Sequence, residues 1–157
     1  MTKAEILKGF EDSRKAVLDQ FDAPEADWNK TYGVGKWTVR QILAHLADVE
    51  VVCLWRFLRG AAEPGSPVEA FDENKWAASL AYESRSLAVA RSTFEANRNQ
   101  LLELIAVMPE SSLNNTILHS ESGELKLDFF LGKMIKHAFH HVDQIRAARE
   151  GRSWTPA

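Results

Sequence analysis

"KLDFFLGKMIKHAFHHVDQIRAARE", residues 126–150, is the stretch on which the fold turns. Its apolar residues return every three or four positions, the period of an α-helix with one buried face. With 100° per residue and Ala138 at the centre, Leu131, Met134, Ile135, Val142 and Ile145 fall within about 60° of it. Asp128 reads as the N-cap and Gly151 as the left-handed stop. Three histidines occupy five consecutive positions of this helix, and the wheel separates them. His141 lies about 60° from the core centre and His137 about 100° to the same side, so two imidazoles four residues apart sit one above the other. His140 lies about 160° away and is expected to face solvent or another chain.

Three further segments share the helical period. The first runs from Lys3 to Asp22 and ends before Pro24. The second opens at Thr38, which forms a T-x-x-Q capping box with Gln41, and continues to Gly60. The third covers Ser84 to Met108 and stops at Pro109. The links 23–37, 61–83 and 109–127 are long for a bundle, and loops of that length tend to carry function. A short helix is expected around Phe71–Leu80 and a small hairpin around Ser122 and Gly123. The whole chain, 1–157, reads as one all-α domain, a bundle of four helices joined by long loops.

A chain of 157 residues buries roughly 70% of its unfolded surface in one core, so neither disulfides nor metal are needed for folding alone. A net charge of −3, spread without acidic or basic blocks, argues against nucleic acid and anionic membrane as partners. Apolar runs are too short to span a bilayer. The single cysteine and the charged start "MTKAEILKGFEDSRK" predict a cytoplasmic protein.

On the second helix His45 stands on the shoulder of the core face, near −60° from Ile42. A histidine pair on one helix and a single histidine on a neighbour can present three neutral imidazoles to one metal ion, with a fourth position open, as in catalytic sites. The same spacing also suits histidines packed as ordinary core residues, and that alternative stays open at this point. Ala138 stands where the glutamate of H-E-x-x-H would be, which disfavours a zinc protease. Asp48 and Gln144 share the shoulders of the histidines and are candidates to hold their remaining N–H groups. Cys53, two turns beyond His45 and about 12 Å along the axis, belongs to the core. Tyr32 and Trp37 wall a pocket or staple the helix entrance, and His119 sits in the last long loop. The polar pairs Ser13-Arg14 and Asn97-Arg98 interrupt two apolar stripes and are read as reaching out to water.

"GKWTVRQILAHLADVE" (35–50), followed far downstream by 126–150 with its H-x-x-H-H-x-x-Q pattern, resembles the DinB superfamily, including its YfiT-like metal-dependent hydrolases. The resemblance spans nearly the whole chain in order. It implies an up-up-down-down four-helix bundle with 61–83 as a crossover, and a divalent transition metal, zinc or nickel, on His45, His137 and His141. It also implies a homodimer acting on a small-molecule substrate, either a hydrolase or a transferase that uses a low-molecular-weight thiol. The other reading is a non-catalytic bundle that binds metal or ligand in a stress or self-protection role. Two positions depart from the family pattern: Ala138 replaces an acidic residue, and Val142-Asp143 replaces Arg-Gly before the glutamine. The metal ligands survive these changes, but any specific catalytic assignment does not.

Overall fold

In a computed structural model describing residues 1–156, the chain forms helices α1 (Lys3–Phe21), α2 (Val39–Ala62), α3 (Glu73–Ser79), α4 (Leu87–Val107) and α5 (Leu127–Arg149). Two capping boxes start the first pair of long helices: Thr2 with Glu5, and Thr38 with Gln41. The expected Asp128 cap is not formed. Leu127 N–H donates to the Asn115 carbonyl as the chain leaves the hairpin, so the cap falls on Lys126, two residues earlier, and Asp128 Oδ1 accepts from the Phe129 N–H. Gly151, at φ +68°, ends α5 as its left-handed conformation requires.

Gly60 does not stop α2, which continues to Ala62. A Cβ there would stand 2.7 Å from Ile117 and 2.8 Å from Leu127, so this glycine admits the hairpin and the start of α5 against the helix. Strands β1 (Ser66–Val68), β2 (Thr116–His119) and β3 (Gly123–Lys126) form a small sheet in that order. β2 and β3 are the expected antiparallel hairpin, and β1 pairs in parallel with β2, Ser66 opposite Ile117. Only β1 goes beyond the expected hairpin, and the resulting sheet covers the end of the bundle where α2 stops and α5 starts.

Cross-helix contacts establish the directions. Along α1, Met1 meets Asp128, Gly9 packs against Ile135 and Gln20 meets Arg149, so α1 and α5 run parallel. Lys3 reaches Ala106 and Arg14 reaches Glu95, so α1 and α4 are antiparallel. Arg40 meets Arg85 and Glu50 meets Arg98, so α2 and α4 run parallel. His45 meets His137 while Gly60 meets Leu127, so α2 and α5 are antiparallel. The four-helix bundle is present, but its order is up-down-down-up, which corrects the up-up-down-down expectation. Parallel α2 and α4 require a connection that returns along the bundle, and residues 63–86 provide it with β1 and α3.

Beside a small cluster of Ala44, Ala77 and Tyr82, the core has two main apolar clusters. One gathers Phe10, Cys53, Phe57, Leu101 and Phe130 near the sheet, and the other gathers Val17, Ile42, Leu46, Phe94 and Val142 at the opposite end. Arg98 crosses the interior with 1% of its surface exposed. Its Nε and Nη2 donate to the two Glu50 oxygens at 2.6 and 2.7 Å, and its Nη1 donates to Ser13 Oγ at 2.8 Å. The guanidinium lies between the rings of Phe10 and Phe94, 4.7 and 4.8 Å away. Ser13 and Arg98 therefore do not reach water as expected: together with Glu50 they satisfy one another in the core.

Candidate metal centre

His45 lies on the second turn of α2, locked by the capping box at Thr38, and is fully buried. His137 and His141 rise from consecutive turns of α5, where their four-residue spacing stacks them on the flank that faces α2. His141 is buried and His137 half-buried. The three rings converge. His137 Nε2 stands 3.3 Å from His45 Nε2 and 3.1 Å from His141 Nε2, and one ring nitrogen from each residue lies within 4.8 Å of the others.

Two of these separations match what one metal ion requires. Zinc–nitrogen bonds of about 2.0–2.1 Å at tetrahedral angles place neighbouring nitrogens about 3.3 Å apart. Protons alone serve the cluster poorly, because a proton on His137 Nε2 is donated well to one neighbour only and leaves the other neighbour's Nε2 unpaired. Burial and the neighbouring imidazoles keep all three rings neutral: His45 is pulled down to about 3, His137 to about 4, and His141 well below its ordinary value. Burial is the largest cause in each case. Neutral imidazole is the ligand form of histidine. The donor set and its spacing therefore fit a divalent transition metal.

Gln144, one turn beyond His140, is 6% exposed. Its Oε1 lies 2.8 Å from His141 Nδ1 and its Nε2 lies 3.0 Å from His140 Nε2. An amide so placed accepts the His141 Nδ1–H and leaves the Nε2 lone pair toward the cluster. Asp48 is engaged elsewhere: its Oδ2 accepts from the Tyr82 hydroxyl at 2.8 Å and from Arg85 at 2.6 Å. His45 Nδ1 has no partner among the described residues, so Asp48 does not hold it. Trp37 packs on the site, its ring 4.9 Å from His45 and stacked at 6.4 Å on His141.

Two of the three histidines, His137 and His141, form the floor of a cavity of about 680 Å³ that has Tyr32 and Trp37 among its walls, and His45 lies buried behind them. His140 is exposed as expected, but it belongs to the rim of this cavity rather than to a remote face. Its ring meets Trp154 edge-on at 4.4 Å, and Trp154 also meets Tyr32. His119 is absent from the site; its Nδ1 accepts from the Glu121 and Ser122 N–H groups and shapes the hairpin turn. Cys53 is buried in the core, where desolvation raises its thiol well above the ordinary value.

Residues 9–145 match the profile of the DinB superfamily. The chain belongs to the DinB superfamily. Among its relatives, a "Putative metal-dependent hydrolase" of Bacillus mycoides (strain KBAB4) is 29% identical over 133 residues, covering 85% of this chain and 76% of that protein. A protein of the same name from Bacillus cereus (strain ATCC 10987 / NRS 248) is 29% identical over 144 residues, covering 89% and 79%. The solved structure of YfiT from Bacillus subtilis, described as "a probable metal-dependent hydrolase with an unusual four-helix bundle topology", superposes with a TM-score of 0.86 at 20% identity. It covers 96% of this chain and 89% of YfiT. A mycothiol-dependent maleylpyruvate isomerase superposes with a TM-score of 0.75 at 13% identity over 92% of this chain and 61% of that one. At these identities the two structures establish the shared fold.

Within this DinB-superfamily bundle, sequence reasoning missed the cavity residues supplied from outside the long helices. Glu73 and Asn74 arrive on α3, carried by the crossover, and Lys36 arrives on the loop before α2. Only the length of those links hinted at them. No helix among the described residues is long and apolar enough to cross a membrane.

Proposed function

We propose that this protein is a metal-dependent enzyme acting on a small molecule, with His45, His137 and His141 as the ligands of one zinc or nickel ion. The observation that carries the reading is the convergence of three neutral imidazoles, two of them buried and one half-buried, at ligand spacing, with His137 and His141 open to a cavity. A bound ion would supply Lewis acidity, either to a water molecule for hydrolysis or to a low-molecular-weight thiol for transfer. The protein's own part is to hold the three lone pairs in place. Gln144 fixes the His141 tautomer, Trp37 packs on the His45 and His141 rings, and the cavity beside His137 and His141 receives the substrate. The names of the relatives favour hydrolysis, and the isomerase fold-mate keeps thiol chemistry in view.

The test is the metal content of the purified full chain, by elemental analysis after reconstitution with zinc or nickel. About one equivalent is expected for wild type and less than about a tenth for His45→Ala, His137→Ala and His141→Ala. Metal-free wild type, or variants that retain a full equivalent, would overturn the assignment. Retained metal with no turnover of any ester, amide or thiol substrate would favour the non-catalytic reading.

A further inference from the structure

The histidine floor is neutral, but the walls of the cavity are not. Lys36, Lys133 and Lys136 line it against one acidic residue, Glu73, in a chain whose net charge is −3. Positive charge is thus gathered where the molecule as a whole is negative. These lysines also lack the anionic partner that four others on the surface have. Lys8, Lys15, Lys30 and Lys75 each pair with an aspartate, whereas Lys36, Lys133 and Lys136 meet no carboxylate among the described residues.

Their placement follows from α5. Two rows of residues spaced by four lie side by side on its pocket face: Lys133, His137, His141 and Lys136, His140, Gln144. Each row places a lysine one turn, about 6 Å, before a histidine. Lys36 approaches from the loop on the opposite wall, beside Trp37. A molecule that touches the histidine floor at one end would hold its far end among three ammonium groups on two walls.

We infer that the substrate of this pocket is a small polyanion, carrying at least two negative groups that Lys36, Lys133 and Lys136 hold about one helical turn from the histidine floor. The inference rests on the proposed function for the role of the floor, and it adds the substrate's charge and the residues that read it. Charge-assisted contacts from three flexible ammonium groups select for the number of negative charges more than for their geometry, since each lysine is a point charge on a mobile stem.

Benzoate, isophthalate and trimesate share one ring and carry one, two and three carboxylates, so they separate charge from shape. Their affinities for the full-length protein are measured by calorimetry at about 50 mM and 500 mM salt, with metal content determined on the same samples. The expected result is a Kd that falls severalfold with each added carboxylate and rises with salt. Lys36→Ala and the pair Lys133→Ala/Lys136→Ala should each weaken trimesate by roughly fivefold or more, while Lys126→Ala, outside the pocket, leaves it unchanged. All four lysines are exposed, so the variants keep their fold. Trimesate binding no tighter than benzoate, or unaltered by the pocket substitutions, would overturn the inference even with a full equivalent of metal. Lysine-dependent trimesate binding in samples that take up no metal would retain the inference and overturn the metal assignment.

Discussion

Gln144→Leu removes the amide that orients His141 while leaving all three proposed ligands in place. The deleted contact is the 2.8 Å bond to His141 Nδ1, made by a side chain only 6% exposed, so no water readily replaces it. Two costs follow for the metal-bound state: the imidazole loses the partner that fixes its tautomer, and a buried Nδ1–H is left unpaired. Loss of such an outer partner weakens metal binding by roughly 10- to 100-fold, equivalent to about 1.4–2.7 kcal/mol. Gln144→Glu keeps an acceptor at the same place and should bind at least as tightly as wild type. Competition for zinc against a chromophoric chelator at neutral pH measures the difference, and thermal unfolding of the metal-free proteins checks for a common fold. A Gln144→Leu protein within threefold of wild type would show that His141 needs no orienting partner, and Gln144 would lose its role in the site.

Chelated protein should lose stability as pH falls. The folded values of His45 and His137, about 3 and about 4, and the lowered value of His141 lie below the unfolded value near 6.5. The stabilisation is complete above pH 6.5 and declines toward pH 4, by up to about 1.4 kcal/mol per pH unit for each ring. A urea midpoint that does not move between pH 7 and pH 5 would contradict it. Glu50→Gln leaves the Arg98 guanidinium without its anion at 1% exposure and should cost about 3–5 kcal/mol in denaturant unfolding. The double variant Glu50→Leu/Arg98→Met should recover most of that loss, and a double variant as unstable as the single one would refute the pairing argument. His140→Ala removes a bond to Gln144 but no ligand, so metal content should stay near one equivalent with affinity reduced only severalfold. Metal loss equal to that of His137→Ala would show that His140 is itself a ligand.

The site was more legible in the sequence than the topology. His45, His137 and His141 could be brought together because helical phase is a local property: four residues make nearly one turn, and each histidine flanks its own apolar stripe. The direction of the helices left no such trace. An amphipathic stripe such as Ile42, Leu46 and Val49 specifies which face is buried, and that face stays buried whichever way the neighbour runs. Residues 63–86 are long enough to serve either order, so only pairs such as Gln20–Arg149 decide between them. Arg98 misled for the complementary reason. A long cation in an apolar stripe ordinarily reaches for water, and its partner Glu50 lies 48 residues away with nothing local to announce it. Strand β1, three residues including Pro67, is too short to show a period and exists because β2 offers it an edge.

The sequence separation inside the site has a consequence for the order of events at birth. His45 and His137 are 92 residues apart and belong to antiparallel neighbours, so nothing made before α5 can present more than one imidazole of the cluster. A chain still emerging from the ribosome with α1 to α4 complete has a half-formed core and a lone ligand, which holds a transition metal weakly. On the proposed assignment, metal capture is a late step that coincides with docking of the last helix. An ion held there would report that the bundle has closed, and a protein cut short before residue 137 would leave the cell's metal pool untouched.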